Sequence, residues 1–583
     1  MEDDDPGVRH DRAVDLARQG RLVDAIAAFR ALLAELPDRE NSWRNLGLAL
    51  LHAGQRDAAI DAYARAAAIQ LTLANGLRLA ELYREVGRLD EASSILTRLV
   101  AKELQSPEAW HQLAVVQGMQ GLVPQAMAAA REALRLKPDL ADAHNTLGVL
   151  CSKAGSLEDS AAAFRESIRL NPANAPAMWN LGAALTQLKR PGPAVGWLQR
   201  AVALKPDAPE ANANLGVALV AAGYASVGVA HLRRAAELSP ANAEIRNAYG
   251  TALAKAGDVD GALVQLEQAL KLSPDFADAR VHRALLWMLK GDFARGLPEY
   301  EWRWRSPQMV ARQFPAPAWA GERRPGATIL LHAEQGLGDA LQFVRYAPLV
   351  RERTGTVIVE VPPAAARVIA RCPGIDRVVR AGEPLPRCDV QAPLMSLPRI
   401  FGTTVTAVPP PRPPSLDPAH LAQAAAAIPP GGLRVGLAWQ GSLVHAGDRY
   451  RSIPLEMFAP LSRVEGARLF SLQQGPGIEQ LAAPTRKFAI EPLVTAEHDL
   501  LDTAALMSHL DLVICVDSAL AHLAGLLGRP VWIPLPLAPD WRWLERRSDS
   551  PWYPGMRLYR QAMPLDWDDV IARMAGDLRA LVR

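Results

Sequence analysis

The sequence predicts an α-helical solenoid followed by an α/β domain of two lobes, from three features. Pro138, Pro172, Pro206, Pro240 and Pro274 recur every 34 residues, with the same small and large apolar pattern before each. From Ala327 onward that period stops, and short apolar runs alternate with helical stretches, the pattern of parallel α/β layers. The proline-dense run Val408 to Pro414 and the Pro429-Pro430-Gly431-Gly432 turn then divide the alternating part, placing a lobe boundary within 405–432.

Within the repeats a Leu-Gly or equivalent pair (Leu46-Gly47, Leu147-Gly148, Leu181-Gly182, Leu215-Gly216, Tyr249-Gly250) precedes a small residue twelve positions after the glycine. Ala59, Ala126, Ser160, Ala194, Gly228 and Ala262 hold that small position. Antiparallel helices cross closely only where small side chains let their backbones approach, and the proline stops the second helix. These positions resemble the tetratricopeptide repeat, with Trp43 and Trp110 at its first aromatic site, giving eight full units and a divergent ninth over 6–305. Stacked pairs of this kind leave an extended concave surface that holds peptide segments or partner proteins. Asn145, Asn180, Asn212, Asn214 and Asn247 lie on first helices of successive units. Amides both donate and accept, so the set reads as a grip on an extended peptide backbone or as a solvated helix face.

Composition narrows the partners. The 64 Lys and Arg against 62 Asp and Glu leave a formal charge of +2, which gives no overall pull toward nucleic acid. Cys151, Cys372, Cys388 and Cys515 are far apart, indicating neither a disulfide framework nor a zinc knuckle, and a reducing cytoplasm fits them. The chain opens Met-Glu-Asp-Asp-Asp and contains no apolar run of membrane-spanning length, so a soluble, unexported, cytoplasmic protein is expected.

After the repeats, Tyr300-Glu301-Trp302-Arg303-Trp304-Arg305 leads into a proline-rich linker at 306–326, and the two tryptophans are expected to dock solenoid against α/β domain. Strands are predicted at Thr328–Leu331, Thr356–Val361 and Arg377–Arg380 in a first lobe (327–404), and at Leu433–Trp439, Ala467–Leu472, Asp511–Val516 and Val531–Leu535 in a second (433–583). Two Rossmann-like lobes facing a cleft follow.

The first strand runs into Glu334-Gln335-Gly336-Leu337-Gly338-Asp339, where Gly-x-Gly at a strand-to-helix turn lets a ligand approach the backbone. No Gly-x-Gly-x-x-Gly follows, so no dinucleotide site is read. Asp339 is either a first-turn acid stabilised by the helix dipole or a functional carboxylate. In the second lobe, the apolar strand Leu512 to Val516 ends in Asp517-Ser518-Ala519-Leu520-Ala521-His522, so Ser518 and His522 share a helix face beside free N–H groups. That is a phosphate site, or a serine cap and a packed histidine. The pair Asp566-Trp567-Asp568 reads as a helix cap and not as a metal ligand, so no metal is expected.

Taken together, Ala333 to Asp339, Gly436 to Gly441, Asp448 to Pro454, Val516 to Gly525 and Pro539 to Trp543 with Asp549 to Pro554 resemble a GT-B glycosyltransferase of the bacterial heptosyltransferase type, in the branch that carries tetratricopeptide repeats. The resemblance implies Asp339 as the base that deprotonates the acceptor hydroxyl, and Arg451 in place of the family's phosphate-binding lysine. It implies Ser518, Ala519 and His522, with Gly338 and Gln473, as donor or phosphate contacts including a fixed positive group. Glu334, Gln335, Asp540 and Trp541 are implied sugar or acceptor contacts; Trp541, Trp543, Trp552 and Tyr553 read equally as a stacking platform or a lobe-packing cluster. Departures stand at Gln474, Ser442 and Gly447, where relatives carry Lys and Asn. The implied reaction is inverting, metal-independent transfer from a nucleotide-sugar to a protein Ser or Thr held by the solenoid, with flagellin a candidate by analogy to other repeat-bearing protein glycosyltransferases. The alternatives are a non-catalytic scaffold, or a transferase acting on lipopolysaccharide or another glycan.

Overall fold

A computed structural model describes residues 5–102, 105–307, 309, 312–445, 447–483, 488–495 and 497–583; the acidic opening at 1–4 and part of the 306–326 segment lie outside the described residues. The chain divides into two compact units, 1–222 and 223–583.

The first unit is a run of antiparallel helix pairs. Second helices such as Val123–Leu136, Leu157–Leu170 and Pro191–Leu204 each end two residues before a repeat proline, and the residue between has left the helical conformation. The residue preceding a proline is pushed out of the helical region, so the stop is written into the period. The repeat glycines sit beneath a large residue sixteen positions on: a Cβ at Gly148 would lie 2.5 Å from the Phe164 ring, and Gly182 is capped in the same way by Leu198. The two helices of such a pair can cross this closely because that Cβ is missing.

The second unit begins with further pairs, through Ala243–Lys255, Val259–Leu272, Ala277–Leu289 and Phe293–Tyr300, and continues into two parallel sheets. The first sheet has the order β3-β2-β1-β4, formed by β1 (Thr328–His332), β2 (Thr356–Val361), β3 (Arg377–Arg380) and β4 (Val390–Pro393). The second has the order β10-β9-β8-β5-β6-β7, from β5 (Leu433–Ala438), β6 (Ala467–Ser471), β7 (Glu491–Pro492), β8 (Leu512–Cys515), β9 (Val531–Leu535) and β10 (Met556–Arg560). This is the solenoid plus two-lobed GT-B architecture. Strands β4, β7 and β10 were not foreseen: the first two are four and two residues long, and β10 has Arg at both its second and its last position.

One apolar core runs through this unit, taking in Leu266, Met288 and Phe293 from the repeats, Ile329, Phe343 and Val359 from the first lobe, and Val513, Leu523 and Trp541 from the second. The sequence placed the divide at a 306–326 linker, whereas the last repeats share their core with the α/β lobes. Phe293 explains why: it lies 5.8 Å from both Trp541 and Trp552, burying three aromatic rings at one junction.

The solenoid-to-lobe tie is made by Arg303 more than by the neighbouring tryptophans. Its guanidinium is 1 % exposed and reaches Glu334 at 2.7 and 2.9 Å, Ser396 at 2.9 Å and Glu301 at 3.0 Å. Trp302 is instead held between the guanidinium groups of Arg280 and Arg305.

Candidate functional site

In a doubly wound sheet, ligands bind at the carboxyl ends of the strands where the strand order reverses. In the first sheet that point lies between β1 and β4, and in the second between β5 and β8. The segment that leaves β1 carries Gly336 to Asp339, and the one that leaves β8 carries Asp517 to His522, so the two motifs picked from the sequence stand at the two switch points.

The helices that follow, Leu337–Phe343 and Ala519–Leu526, pack directly on each other. Gly338 makes this approach possible: a Cβ there would lie 2.8 Å from the His522 ring and 3.7 Å from Ala519 Cα. Each carboxylate oxygen of Asp339 holds one donor, which leaves each a further lone pair. One carboxylate oxygen accepts the Gly336 N–H at 2.8 Å, closing the first turn of its helix, and the other accepts from Arg542.

Arg542 was not singled out by the sequence, although it stands in the Asp540-Trp541-Arg542-Trp543 run. It is buried, and it donates to Gln342 at 2.6 Å, to Asp540 at 2.8 Å and to Asp339. Asp540 also accepts the Arg542 backbone N–H at 3.0 Å. Burial opposes ionisation of Asp540, but the Arg542 charge and hydrogen bonds outweigh it and hold the carboxyl below its usual range. Asp517, at the end of β8, is pushed the other way, up to about 6, by burial first and by the Asp540 charge second.

Ser518 is the N-cap residue of the Ala519–Leu526 helix, yet its hydroxyl makes no capping bond. That hydroxyl is buried with no hydrogen-bond partner among the described residues. A buried unpaired hydroxyl costs about 1–3 kcal/mol, and beside the free N–H groups of a helix start it is placed to meet an anionic oxygen.

His522 does not supply the fixed positive charge implied for it. Burial, aided by Arg542, drives its pKa down to about 3, so the ring is neutral; it bonds the Tyr553 hydroxyl at 3.0 Å through Nδ1 and stacks on Trp543. The cation beside the helix start is Arg451, which donates to the Asp517 carbonyl at 2.7 Å and to Asp448 at 3.3 Å.

Other predicted contacts are committed elsewhere. Gln473 accepts the backbone N–H groups of Trp439 and Gln440, each at 3.0 Å, and donates to the Pro476 carbonyl at 2.7 Å, so it fastens the β5 and β6 exits. Glu334 is consumed by Arg303, and burial raises its pKa despite that partner. Gln335 donates to the Tyr300 hydroxyl at 2.9 Å. Trp541, Trp543, Trp552 and Tyr553 are at most 4 % exposed, and Trp541 and Trp552 both pack on Phe343 of the first lobe, so this group packs the lobes together. The Asp566-Trp567-Asp568 run makes no side-chain cap on the last helix.

In the repeats, Asn180 donates to Asn145 at 3.2 Å and both remain half-buried on the helix face. Asn214 donates to the Trp179 carbonyl at 3.3 Å. Asn212 departs from the set: it is 2 % exposed and turns inward to the carbonyls of Pro206 and Ala208, because it falls two positions from Asn214 on the opposite side of its helix. In the second unit Asn247 pairs with His282 at 2.8 Å.

A model of the tetratricopeptide repeat matches residues 10–71, 77–141, 147–209, 213–268 and 255–305. A model of glycosyltransferase family 9 (heptosyltransferase) matches residues 478–532, which include β8, Asp517, Ser518 and the Ala519–Leu526 helix. Protein FlbA of Caulobacter vibrioides is 28 % identical over 325 residues, 51 % of this chain and 54 % of that protein, so the chain spans about half the length of the curated relative it matches. Among solved structures, YrrB, described as a repeat protein with an unusual peptide-binding site, is 23 % identical over 32 % of this chain and 95 % of its own, with a TM-score of 0.27. PilF of Pseudomonas aeruginosa is 21 % identical over 39 % of this chain and 98 % of its own, with a TM-score of 0.32. Among the described residues no helix is long and apolar enough to cross a membrane.

Proposed function

We propose that this fusion of tetratricopeptide repeats with a family 9 glycosyltransferase segment is an inverting, metal-independent transferase that moves a sugar from a nucleotide-sugar to a Ser or Thr hydroxyl of a protein. The division of labour follows the sequence boundaries, with repeats over 6–305 holding the acceptor protein, lobe 327–404 facing the acceptor hydroxyl and lobe 433–583 holding the donor. Flagellin is the candidate acceptor.

The observation that carries this reading is the meeting of the two switch points, with the unpaired Ser518 hydroxyl and the helix start at Ala519 on one side and Asp339 on the other. Backbone N–H groups at Ala519, the Ser518 hydroxyl and Arg451 supply donors for the diphosphate, and they stabilise the charge that builds on it as the sugar departs. Asp339 takes the proton of the attacking hydroxyl, and attack from the side opposite the leaving group inverts the anomeric centre. Asn145 and Asn180 offer amides to the acceptor backbone.

The test is mass spectrometry of flagellin incubated with the full-length protein and a panel of UDP-, GDP-, ADP- and CMP-sugars. A single increment equal to the mass of the sugar supplied by one donor, on a Ser or Thr peptide and absent with Asp339→Asn, is the expected result. No increment with any donor would remove the protein-acceptor reading.

A further inference from the structure

The base assigned above does not stand alone. Asp339 lies on the first lobe and Asp540 on the second, and a single buried guanidinium, Arg542, joins them while also bonding Gln342. We propose that Arg542 and Asp540 form a positioning pair for Asp339, setting both its orientation and its readiness to take a proton; the proposal rests on the reading of Asp339 as the base.

The charge count explains how. Two carboxylates around one guanidinium leave one excess negative charge, so the cluster becomes neutral when Asp339 accepts a proton from the acceptor hydroxyl. Arg542 is then still matched by Asp540, and no buried cation is stranded. A simple one-to-one pair would instead break its only ion pair in the same step. Geometry adds to this: the Gly336 N–H fixes one carboxylate oxygen and Arg542 the other, so the plane of the carboxylate is set by groups from both lobes. The base is therefore complete only with the lobes together.

The other charged or titratable groups around the cluster, among the described residues, include Arg345, Arg451, Lys255 and Asp517, with Tyr300, Tyr553, His445 and the neutral His522. They are common to the variants below, so differences between variants report on the pair.

The experiment measures nucleoside diphosphate release by the full-length protein from UDP-N-acetylglucosamine, UDP-glucose, GDP-mannose and ADP-glucose with flagellin present as the acceptor, as kcat and KM. Arg542→Lys, which keeps the charge and loses the fork, should lower kcat about tenfold or more with KM little changed, and Arg542→Gln, which loses both, should lower it further; Arg542→Lys also stands in should Arg542→Gln fail to fold. Asp540→Asn, which removes the second carboxylate holding the Arg542 fork, should lower kcat by roughly tenfold with KM again little changed. Loss of release in Asp339→Asn with kcat unchanged in Asp540→Asn and Arg542→Lys would overturn the pair and leave the base. Release unchanged in Asp339→Asn, or absent from the wild type with every donor, would overturn the base reading and the pair with it.

Discussion

The repeats of residues 5–222 and those of 223–300 share one sequence period but not one kind of stability. In the first unit the helix pairs are closed on themselves: glycines lie under Phe164 and Leu198, and apolar cores stay among neighbouring repeats. In the second unit the same helical geometry also presents Phe293, Tyr300 and Arg303 to the α/β lobes. The period encodes how one helix pair closes, whereas docking is written by residues off the period. That is why the boundary between compact units falls inside the repeats.

The sharpest way to break this comparison is Arg303→Ala, which leaves Glu334 buried without its ion-pair partner and should cost about 3–5 kcal/mol. Hydrogen exchange should show protection falling within 223–583 and unchanged within 5–222. Uniform loss across both would mean that the units do not unfold separately.

Acid should act on the second unit through His522. Its pKa lies at about 3 when folded and near 6.5 when unfolded, so the unfolded state binds the extra proton as pH falls below 6.5. Stability from keeping the ring neutral is complete above that value and should decline by about 2 kcal/mol by pH 5. In His522→Gln this component of the acid sensitivity should vanish, as read by thermal unfolding at pH 5 and 7.5.

Smaller effects should stay in the first unit. Gly148→Ala forces a methyl against Phe164 and should cost about 1–2 kcal/mol, with exchange increased only around the helices it joins. Asn145→Ala removes one half-buried amide bond and should cost about 0.5 kcal/mol, measurable in the same exchange experiment as a change confined to the Asn180 helix.

Much of this was legible in the sequence because it is periodic or local. The prolines fixed where second helices stop, and apolar runs such as Leu512 to Cys515, buried on both faces, marked central parallel strands. The two motifs at the switch points were visible because Gly336 to Asp339 and Ser518 to His522 each combine a strand end with a helix start. What the sequence did not show depends on contacts between distant segments. Arg542 and Asp339 are 203 positions apart, and nothing in either neighbourhood announces the pair. Arg303 was hidden between two tryptophans that drew the docking prediction. The neutral state of His522 follows from burial among Trp543 and Tyr553, which no spacing rule reports.

The most direct test of the account is calorimetric titration of UDP, GDP, ADP and CMP into the full-length protein, alongside Ser518→Ala and Arg451→Ala. The account predicts one site for at least one of these nucleotides, weakened about tenfold or more in each variant, since each removes a hydrogen bond to a charged group worth about 1.5–3 kcal/mol. Equal affinity in all three proteins, or no binding by any nucleotide, would contradict a phosphate site at the start of the Ala519–Leu526 helix.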